Sequence, residues 1–103
     1  MWRASLLDPV NFPRKETSGS GFHCYALAWG VNEGVLDQKR FRPAVLKAWG
    51  ALAGCVAADG RLTHVQPVGV DPKHFDENAT DIFGVGAFLL AGSEVYRMVG
   101  GSR

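Results

Sequence analysis

A short polar segment, Glu16-Thr17-Ser18, stands directly before a long apolar run and is the strongest candidate for chemistry in this chain. One carboxylate and two hydroxyls at the start of a buried helix would suit a hydroxyl-rich ligand such as a sugar. The same side chains are good helix caps, because their oxygens can accept hydrogen bonds from the free amides of a first turn. Physical chemistry alone favours capping over ligand binding at these three residues.

Other residues of chemical interest lack the spacing that their chemistry needs. The three histidines share no metal-ligand spacing. Gly84-Val85-Gly86 could begin a dinucleotide-binding loop, but Leu89 stands where that motif needs glycine, and no strand precedes it. The acidic residues of the 71–81 stretch do not follow the calcium-loop pattern. We therefore expect no metal and no cofactor.

Composition excludes several classes of partner. The 103 residues carry 11 basic and 10 acidic side chains, which are spread along the chain without a basic stripe, so we expect no nucleic-acid partner. No apolar run approaches the roughly 18 residues that a membrane span needs. Cys24 and Cys55 both fall inside helical patterns, which predicts buried free thiols and favours a reducing, cytoplasmic compartment.

The elements that must position the polar segment are helices. Apolar residues recur at three- and four-residue steps from Phe22 onward, which predicts a first helix that begins near Ser18 or Ser20, either of which could cap it. Gly34 is placed where a helix ends on a left-handed residue. This helix is apolar on all its sides, so it must be covered on all of them.

The second helix is predicted over Gln38–Ala57, with Asp37 as its cap. Because the connection from the first helix is only about three residues long, the two helices should form an antiparallel hairpin. The apolar residues of the second helix form one stripe and its charged residues face elsewhere, which is typical of an outer helix. At the start of the chain, prolines at positions 9 and 13 predict that a helix ends before residue 8 and that a loop follows.

The last third of the chain is predicted to cross over and return to a buried helix. Asp59-Gly60 is a turn signal, residues 61–69 have an extended pattern, and residues 71–80 form a polar loop of the kind that often lies over functional sites. A final helix is predicted over Asp81–Met98, with Thr80 as its cap. Its glycines lower helix propensity by about 1 kcal/mol each relative to alanine, which indicates that the backbone of another helix approaches closely.

Two helices that are apolar all round and one outer helix do not close a core by themselves. The pattern therefore predicts an all-α chain in which residues 1–103 form part of a larger helical barrel. We expect Phe22, Trp29, Phe88 or Leu89 to lie partly exposed, or to be buried against another copy of the chain.

Several sequence blocks then stand in a recognisable order. They are Glu16–Ser20 running into Tyr25–Asp37, Ala44–Trp49, Asp59–Leu62, Val65–Gly69 and Phe83–Tyr96. Together they resemble the C-terminal part of glycoside hydrolase families 88 and 105, the unsaturated glucuronyl and unsaturated rhamnogalacturonyl hydrolases. The resemblance covers the chain from about Trp2 to Met98. One departure is Phe83, where tyrosine is more usual in the family.

The resemblance implies an (α/α)6 barrel, of which this chain is a C-terminal fragment of about three helices plus a short extended segment. It implies a glycoside hydrolase that removes Δ4,5-unsaturated uronic acid from pectin-derived (rhamnogalacturonan) oligosaccharides. The reaction hydrates the double bond, with an aspartic acid as general acid and without a metal or cofactor. That aspartate lies in the N-terminal half of the family, and no residue of this chain matches it.

The expected roles follow from that resemblance. The chain should hold no catalytic residue and be inactive alone, while Glu16, Thr17 and Ser18 should lie at the rim of the sugar pocket and bind substrate. The alternative is a non-enzymatic helical module for packing or oligomerisation, and in that case the chain would associate with itself.

Overall fold

A computed structural model describes residues 1–101. Its helices are α1 (Thr17–Asn32), α2 (Gln38–Ala53) and α3 (Ile82–Met98). Within the described residues no strand forms, and only two isolated bridges pair extended segments. No helix of this part of the chain is long and apolar enough to span a bilayer. The all-α prediction is confirmed.

The first helix, α1, begins earlier than either predicted start. Glu16 has extended backbone angles (φ −132°, ψ 118°), and its carboxylate accepts a hydrogen bond from the Gly19 amide, so Glu16 is the N-cap. The prediction that Ser18 or Ser20 caps the helix is wrong. The Ser18 hydroxyl donates to Glu16, whereas the Ser20 hydroxyl is bonded to the backbone of Trp2.

The connection between α1 and α2 is the tight turn that the sequence predicts. Gly34 has a left-handed φ of +73°, and the amides of Val35 and Leu36 donate back to the Gly30 carbonyl at 2.9 and 3.0 Å. Leu36 packs so closely over Gly30 that an added Cβ there would lie 2.6 Å from its side chain. Asp37 caps α2 as predicted, since its carboxylate accepts a bond from a first-turn amide at 3.1 Å.

The end of α2 lies at Ala53, so the predicted end at Ala57 is wrong. The Ala57 amide instead donates to the Arg61 carbonyl at 2.8 Å, and the flanking residues pair in an isolated antiparallel bridge. The predicted turn at Asp59-Gly60 connects the two sides, with Gly60 at a left-handed φ of +86°. Backbone bonds across this turn replace the last turn of helix that periodicity predicts.

The third helix, α3, begins at Ile82 and ends at Met98, the predicted end. Asp81 is its N-cap, because the Asp81 carboxylate accepts a bond from the Ile82 amide at 2.7 Å. The prediction that Thr80 is the cap and Asp81 the first helical residue is therefore wrong by one position.

The predicted extended segment 61–69 is held against the 71–80 loop. The amides of His64 and Val65 donate to carbonyls of that loop at 2.8 and 3.0 Å. Val65 is fully buried and packs against Gly84 of α3, where an added Cβ would lie 2.5 Å from the valine side chain. Gly84 of α3 is thus closely packed, but against the Val65 side chain of the 61–69 segment and not against the backbone of another helix.

The predicted helix before residue 8 is absent, because residues 1–16 form turns and extended backbone. Arg3 pairs with Lys15 in an antiparallel bridge. The Trp2 amide donates to the Ser20 hydroxyl at 3.0 Å, and that hydroxyl donates to the Trp2 carbonyl at 3.2 Å. These backbone groups are satisfied by distant partners, which removes the need for a helix to satisfy them.

The core lies where the three helices meet and consists of small and medium-sized side chains. Its buried members are Cys24 and Ala28 of α1, Val45, Ala48 and Leu52 of α2, and Ala91 and Val95 of α3. At its edge the Trp49 ring lies 4.9 Å from the Phe88 ring and covers Gly92, where an added Cβ would lie 2.9 Å from the indole. Cys24 and Cys55 are buried free thiols, as predicted.

Helices α1 and α3 approach each other closely at Gly21. A Cβ added at Gly21 would lie 3.0 Å from the Ala87 Cβ and 3.2 Å from the Phe88 backbone nitrogen. At the other end of α1, the Asn32 side-chain amide donates to the Glu94 carbonyl at 2.9 Å and to its carboxylate at 2.7 Å. Because these contacts occur in the same order along both helices, α1 and α3 run parallel.

We expect Gly21→Ala and Gly86→Ala to change stability in opposite directions. At position 21 the methyl group would press on the backbone of α3, and such overpacking costs about 1–3 kcal/mol. At position 86 no heavy atom lies within 4 Å of an added Cβ. Alanine should therefore stabilise α3 by about 0.5–1 kcal/mol. Urea unfolding followed by circular dichroism measures both changes, and equal effects would contradict the close approach at Gly21.

The Cys24 thiol should make stability fall at alkaline pH. Burial raises its pKa from 9.0 to about 11. Between these values the unfolded thiol loses a proton that the native thiol keeps, so the free energy of unfolding decreases as pH rises. The loss from this group is on the order of 2–3 kcal/mol. Cys24→Ala, which lacks this titration, is the control in unfolding experiments from pH 7 to 11, and an identical alkaline slope in it would refute the assignment.

Candidate functional site

A cavity of about 380 Å³ opens at the N-terminal end of α1. It lies between the N-terminal segment, the first turns of α1 and the 61–69 segment. The side chains at its wall that can contact a ligand through polar or aromatic groups are Trp2, Arg3, Glu16, Ser18, His23 and Gln66. The cavity therefore joins parts of the chain that are far apart in sequence.

At the wall of this cavity, the Glu16 side chain mainly binds other groups of the protein. Its side chain is nearly buried, and its carboxylate accepts hydrogen bonds from the Gly19 amide at 2.7 Å, from the Gln66 amide at 3.3 Å and from the Ser18 hydroxyl. These bonds satisfy free amides at the start of α1 and attach the 61–69 segment to it. Both carboxylate oxygens already act as acceptors within the protein.

The three residues predicted to bind substrate occupy two different positions. Glu16 and Ser18 line the cavity, as a rim would require. Thr17 lies behind them and is fully buried, with its hydroxyl donating to the Thr63 carbonyl at 2.8 Å and its amide to the His64 carbonyl at 2.9 Å. Thr17 therefore holds the cavity wall in place and does not face the cavity.

Residue His64, which receives the bond from Thr17, has a left-handed backbone with φ 61°. Few residues other than glycine adopt this conformation, and it persists only where surrounding contacts impose it. Here the contacts come from both sides, because the His64 amide donates to the Glu77 carbonyl at 2.8 Å and its ring pairs with the Thr63 hydroxyl at 2.8 Å. The strained residue connects α1 to the 71–80 loop.

An aromatic pair at the cavity, Trp2 and His23, was not predicted from the sequence. The two ring centroids lie 5.0 Å apart with the planes tilted by 34°. The His23 Nδ1 lies 2.7 Å from the Gly19 carbonyl, so the neutral ring carries its proton on Nδ1 and leaves Nε2 as the acceptor. Such a pair offers an apolar ring face next to a polar ring edge, which suits a sugar ring.

Arg3 places a positive charge at the same cavity. One of its nitrogens donates to the Pro13 carbonyl. A guanidinium has five N–H donors in a planar fork, and the others can bind a ligand carboxylate in a bidentate manner. Glu16 is the only carboxylate at the wall of this cavity within residues 1–101, and its hydrogen bonds are made inside the protein. The site is therefore suited to an anionic, hydroxyl-bearing ring.

The 71–80 loop reaches the cavity through Pro72. The loop also borders a second cavity of about 440 Å³, whose ionisable lining residues are Arg14, Lys73, His74 and Glu77. There Arg14 forms an ion pair with Glu77, and the Lys73 ammonium lies 5.1 Å from the centre of the Phe12 ring. Arg14, Glu77 and Lys73 therefore each have a partner within the protein.

Metal ligands are not grouped in this part of the protein. Among the residues that the structure describes, no three His, Cys, Asp or Glu side chains come close enough to hold an ion. Asp71 and His74 form a pair at 3.5 Å, and the bonds that Asp71 accepts, first from the Lys73 amide, lower the pKa of its carboxyl. That pair lies outside the first cavity.

Sequence reasoning missed Trp2, Arg3, His23 and Gln66. Only His23 could have been found from the sequence. Glu16, Ser20 and His23 follow each other at helical spacing and so share one side of the first turns of α1. The others reach the cavity through long-range contacts that no local pattern encodes.

The family model described as Glycosyl Hydrolase Family 88 matches residues 1–99. This chain belongs to glycosyl hydrolase family 88. The resemblance that the sequence blocks carry is thereby confirmed.

Two curated relatives of this family 88 chain have the same name, Unsaturated 3S-rhamnoglycuronyl hydrolase. The protein from Formosa agariphila is 51% identical over 98 residues, which are 95% of this chain and 26% of the relative. The protein from Alteromonas sp. (strain LOR) is 45% identical over 94 residues, or 91% of this chain and 23% of the relative. The chain thus spans about a quarter of the length of these relatives.

Two solved structures have the same fold over this region. A glycosyl hydrolase family 88 protein from Bacteroides vulgatus superposes with a TM-score of 0.87 at 42% identity, covering 94% of this chain and 29% of that one. A chain described as a polysaccharide lyase superposes with a TM-score of 0.89 at 43% identity, covering 99% of this chain and 30% of that one. The three helices are therefore a fragment of an (α/α)6 barrel, as predicted.

Replacing Glu16 should damage both α1 and the cavity wall. In Glu16→Ala the Gly19 and Gln66 amides lose their acceptor, and the expected loss of stability is about 1–3 kcal/mol. The matched control is Asp37→Ala, which removes only the cap of α2 and should cost about 1 kcal/mol. Urea unfolding gives the two losses, and amide NMR shifts report the tie to Gln66. A Gln66 amide resonance that stays in place in Glu16→Ala would contradict that tie.

Proposed function

We propose that this chain is the C-terminal part of a hydrolase that removes a Δ4,5-unsaturated uronic acid from an oligosaccharide. In this proposal the chain contributes one wall of the sugar pocket and no catalytic acid. The observation that carries it is the cavity at the start of α1, where an aromatic pair, a guanidinium and hydroxyl-binding groups meet in a family 88 chain.

The substrate chemistry fits the cavity group by group. An unsaturated uronic acid has a flattened ring with a carboxylate next to the double bond and free hydroxyls on the other side. The Trp2 and His23 rings offer a surface for the ring, and the Arg3 guanidinium offers a bidentate partner for the carboxylate. The Ser18 hydroxyl donates to Glu16 and the Gln66 side-chain amide donates to the Val70 carbonyl at 2.9 Å, so the side-chain oxygens of both residues remain as acceptors for sugar hydroxyls.

In this proposal the acid for the reaction comes from the N-terminal half of the family, as the sequence resemblance implies. Hydration of the double bond begins with protonation by a positioned carboxylic acid. Glu16 is unsuited to this role, because its carboxylate accepts three hydrogen bonds and serves as a helix cap. Asp37 and Asp81 cap other helices, and Asp8 and Asp71 accept bonds within exposed loops. The chain alone is therefore inactive in this proposal.

The substrate class follows the names of the relatives. Both are named for an unsaturated 3S-rhamnoglycuronyl substrate. We therefore propose an oligosaccharide in which the unsaturated uronic acid is joined to rhamnose. The pectin-derived rhamnogalacturonan fragments predicted from the sequence are one member of that class.

A second reaction is open to the same fold, because one of the matching solved chains is described as a polysaccharide lyase. A lyase forms the unsaturated uronic acid by elimination, whereas the hydrolase consumes it. Since the conjugated double bond absorbs ultraviolet light, the two reactions change absorbance in opposite directions. Fold similarity alone does not choose between them, since function depends on the site.

The test is a chimera in which residues 1–99 replace the matching segment of the Formosa agariphila hydrolase. On an unsaturated uronyl-rhamnose disaccharide it should lower the ultraviolet absorbance, and Arg3→Gln should reduce kcat/KM about tenfold to a hundredfold, the loss of a charge-assisted hydrogen bond. The control Val68→Ala changes an exposed residue outside the cavity and should leave activity unchanged.

The opposite outcomes are equally clear. Turnover by the isolated 103-residue chain would show that it contains the acid. An Arg3→Gln chimera as active as the parent chimera would remove the proposed role of the guanidinium. A rise in absorbance on the intact polysaccharide would favour the lyase reaction.

A further inference from the structure

His23 is the only histidine among the described residues at the wall of the first cavity, and its side chain is exposed there. Histidine is the side chain whose charge ordinarily changes between pH 5 and pH 8. Stacking on a sugar ring uses only the face of the imidazole and leaves its ring nitrogens without a role. The chemistry available at these nitrogens therefore goes beyond the stacking surface.

The hydrogen bond to Gly19 decides which nitrogen of His23 can change its proton. The Gly19 carbonyl can only accept, so Nδ1, which lies 2.7 Å away, keeps its proton in the neutral and in the charged ring. No hydrogen bond joins Nε2 to another group of residues 1–101. The neutral ring therefore offers Nε2 as an acceptor, whereas the charged ring offers it as a donor. One atom at the cavity wall thus reverses its hydrogen-bonding role with pH.

The ring is held in the same place in both states. The His23 ring centroid lies 5.0 Å from that of Trp2, and an indole attracts a cation placed near its face. Trp2 is itself fixed, because its amide and its carbonyl bond to the Ser20 hydroxyl at 3.0 and 3.2 Å. Protonation therefore adds a charge at the cavity without requiring the ring to move.

The charged groups around this ring come from two elements. The N-terminal segment brings the Arg3 guanidinium, and the start of α1 brings the Glu16 carboxylate, which already accepts three hydrogen bonds. The extended segment and the loop after it contribute Gln66 and Pro72, which are uncharged, and within residues 1–101 α3 places no residue at this wall. Helix α2 contributes Lys47 to a separate cavity beside Trp2. The charges that can meet a ligand are therefore Arg3 and protonated His23.

We propose that His23 is a specificity-determining residue, which binds the carboxylate of a uronic acid when protonated and a sugar hydroxyl when neutral. The inference rests on the proposed function, because it takes the first cavity to hold a uronic acid. A sugar carboxylate stays ionised above pH 5, and its two oxygens can accept from Arg3 and from His23 Nε2 together. Since charge-assisted hydrogen bonds are stronger than neutral ones, the cavity prefers uronic acids over neutral sugars more strongly at low pH.

The test is calorimetric titration of the full chain with two ligands, methyl β-D-glucuronide and methyl β-D-glucoside. They differ only in a carboxylate and a hydroxymethyl group. The affinity for the glucuronide should be about threefold to tenfold higher at pH 5 than at pH 7.5, the gain expected from one charge-assisted hydrogen bond at a partly open site. The affinity for the glucoside should not rise, because the charged ring no longer accepts a hydrogen bond from a hydroxyl.

Variants separate His23 from the other charged groups. His23→Phe keeps an aromatic ring beside Trp2 but cannot be protonated, so its affinity for the glucuronide should be the same at both pH values. Arg3→Gln should lower the affinity at both pH values and keep their ratio. The matched control is His74→Phe, which changes a histidine of the second cavity and should also keep the ratio.

The other histidines and the N-terminal amino group remain in His23→Phe, so they cannot account for a ratio that this variant loses. Circular dichroism shows whether each variant keeps its helices. If His23→Phe does not fold, His23→Gln takes its place, because it keeps a polar side chain without a titrating group.

Three results would overturn the proposal. They are equal glucuronide affinities at the two pH values in the parent chain, an unchanged ratio in His23→Phe, and an equal rise in affinity for the glucoside. If the isolated chain binds too weakly to be measured, the same titrations are made on the Formosa agariphila chimera, and absence of glucuronide binding there would also overturn it. None of these measurements needs turnover. A chimera that shows the pH-dependent ratio but hydrolyses nothing would count against the proposed reaction alone.

Discussion

The close approach of α1 to α3 at Gly21 is the contact on which the rest of the structure depends. With no side chain at this position, the backbone of α3 near Ala87 can come within van der Waals distance of α1. The parallel pair that results is closed at its other end by the Asn32 amide on Glu94. Only with this pair in place can α2 cover one side of both helices and enclose a core of small residues.

The same pair explains the position of the cavity. Because α1 and α3 are parallel, their N-termini lie at the same end, where amides without helical partners gather. Glu16 satisfies some of these amides and attaches the 61–69 segment, while Ser20 holds Trp2 through both of its backbone groups. A site at this end therefore has polar groups, a rigid scaffold and an aromatic wall, which are properties of small-molecule sites in general.

In the proposed function, the chain provides one wall of the sugar pocket and no catalytic acid. Its cavity is lined by groups that can orient an anionic sugar, but the carboxylate at its wall is committed to capping. Several large apolar side chains of α1 and α3, among them Phe22, Trp29 and Leu89, are partly exposed. Hydrolase and lyase names among the relatives show that the fold by itself leaves the reaction open.

The sequence by itself determined the elements whose causes are local. The Gly34 end of α1, the Asp37 cap and the Asp59-Gly60 turn depend on residues a few positions apart, so periodicity and turn chemistry were sufficient to predict them. The ordered blocks likewise identified the family. The predicted N-terminal helix was wrong because Trp2 bonds to the distant Ser20. The predicted serine cap was wrong because the nearby Glu16 carboxylate caps α1 and accepts the Ser18 hydroxyl.

Only the tertiary structure decided which residues form the cavity. Trp2 is held there by Ser20, at a separation of 18 residues, and Glu16 bonds to Gln66 across 50 residues. Thr17, which the family resemblance placed at the rim of a sugar pocket, is instead fully buried, and its hydroxyl donates to the Thr63 carbonyl across 46 residues. A helix can be recognised from the contacts it makes with itself, but a cavity wall is made by segments that meet only after the chain has folded.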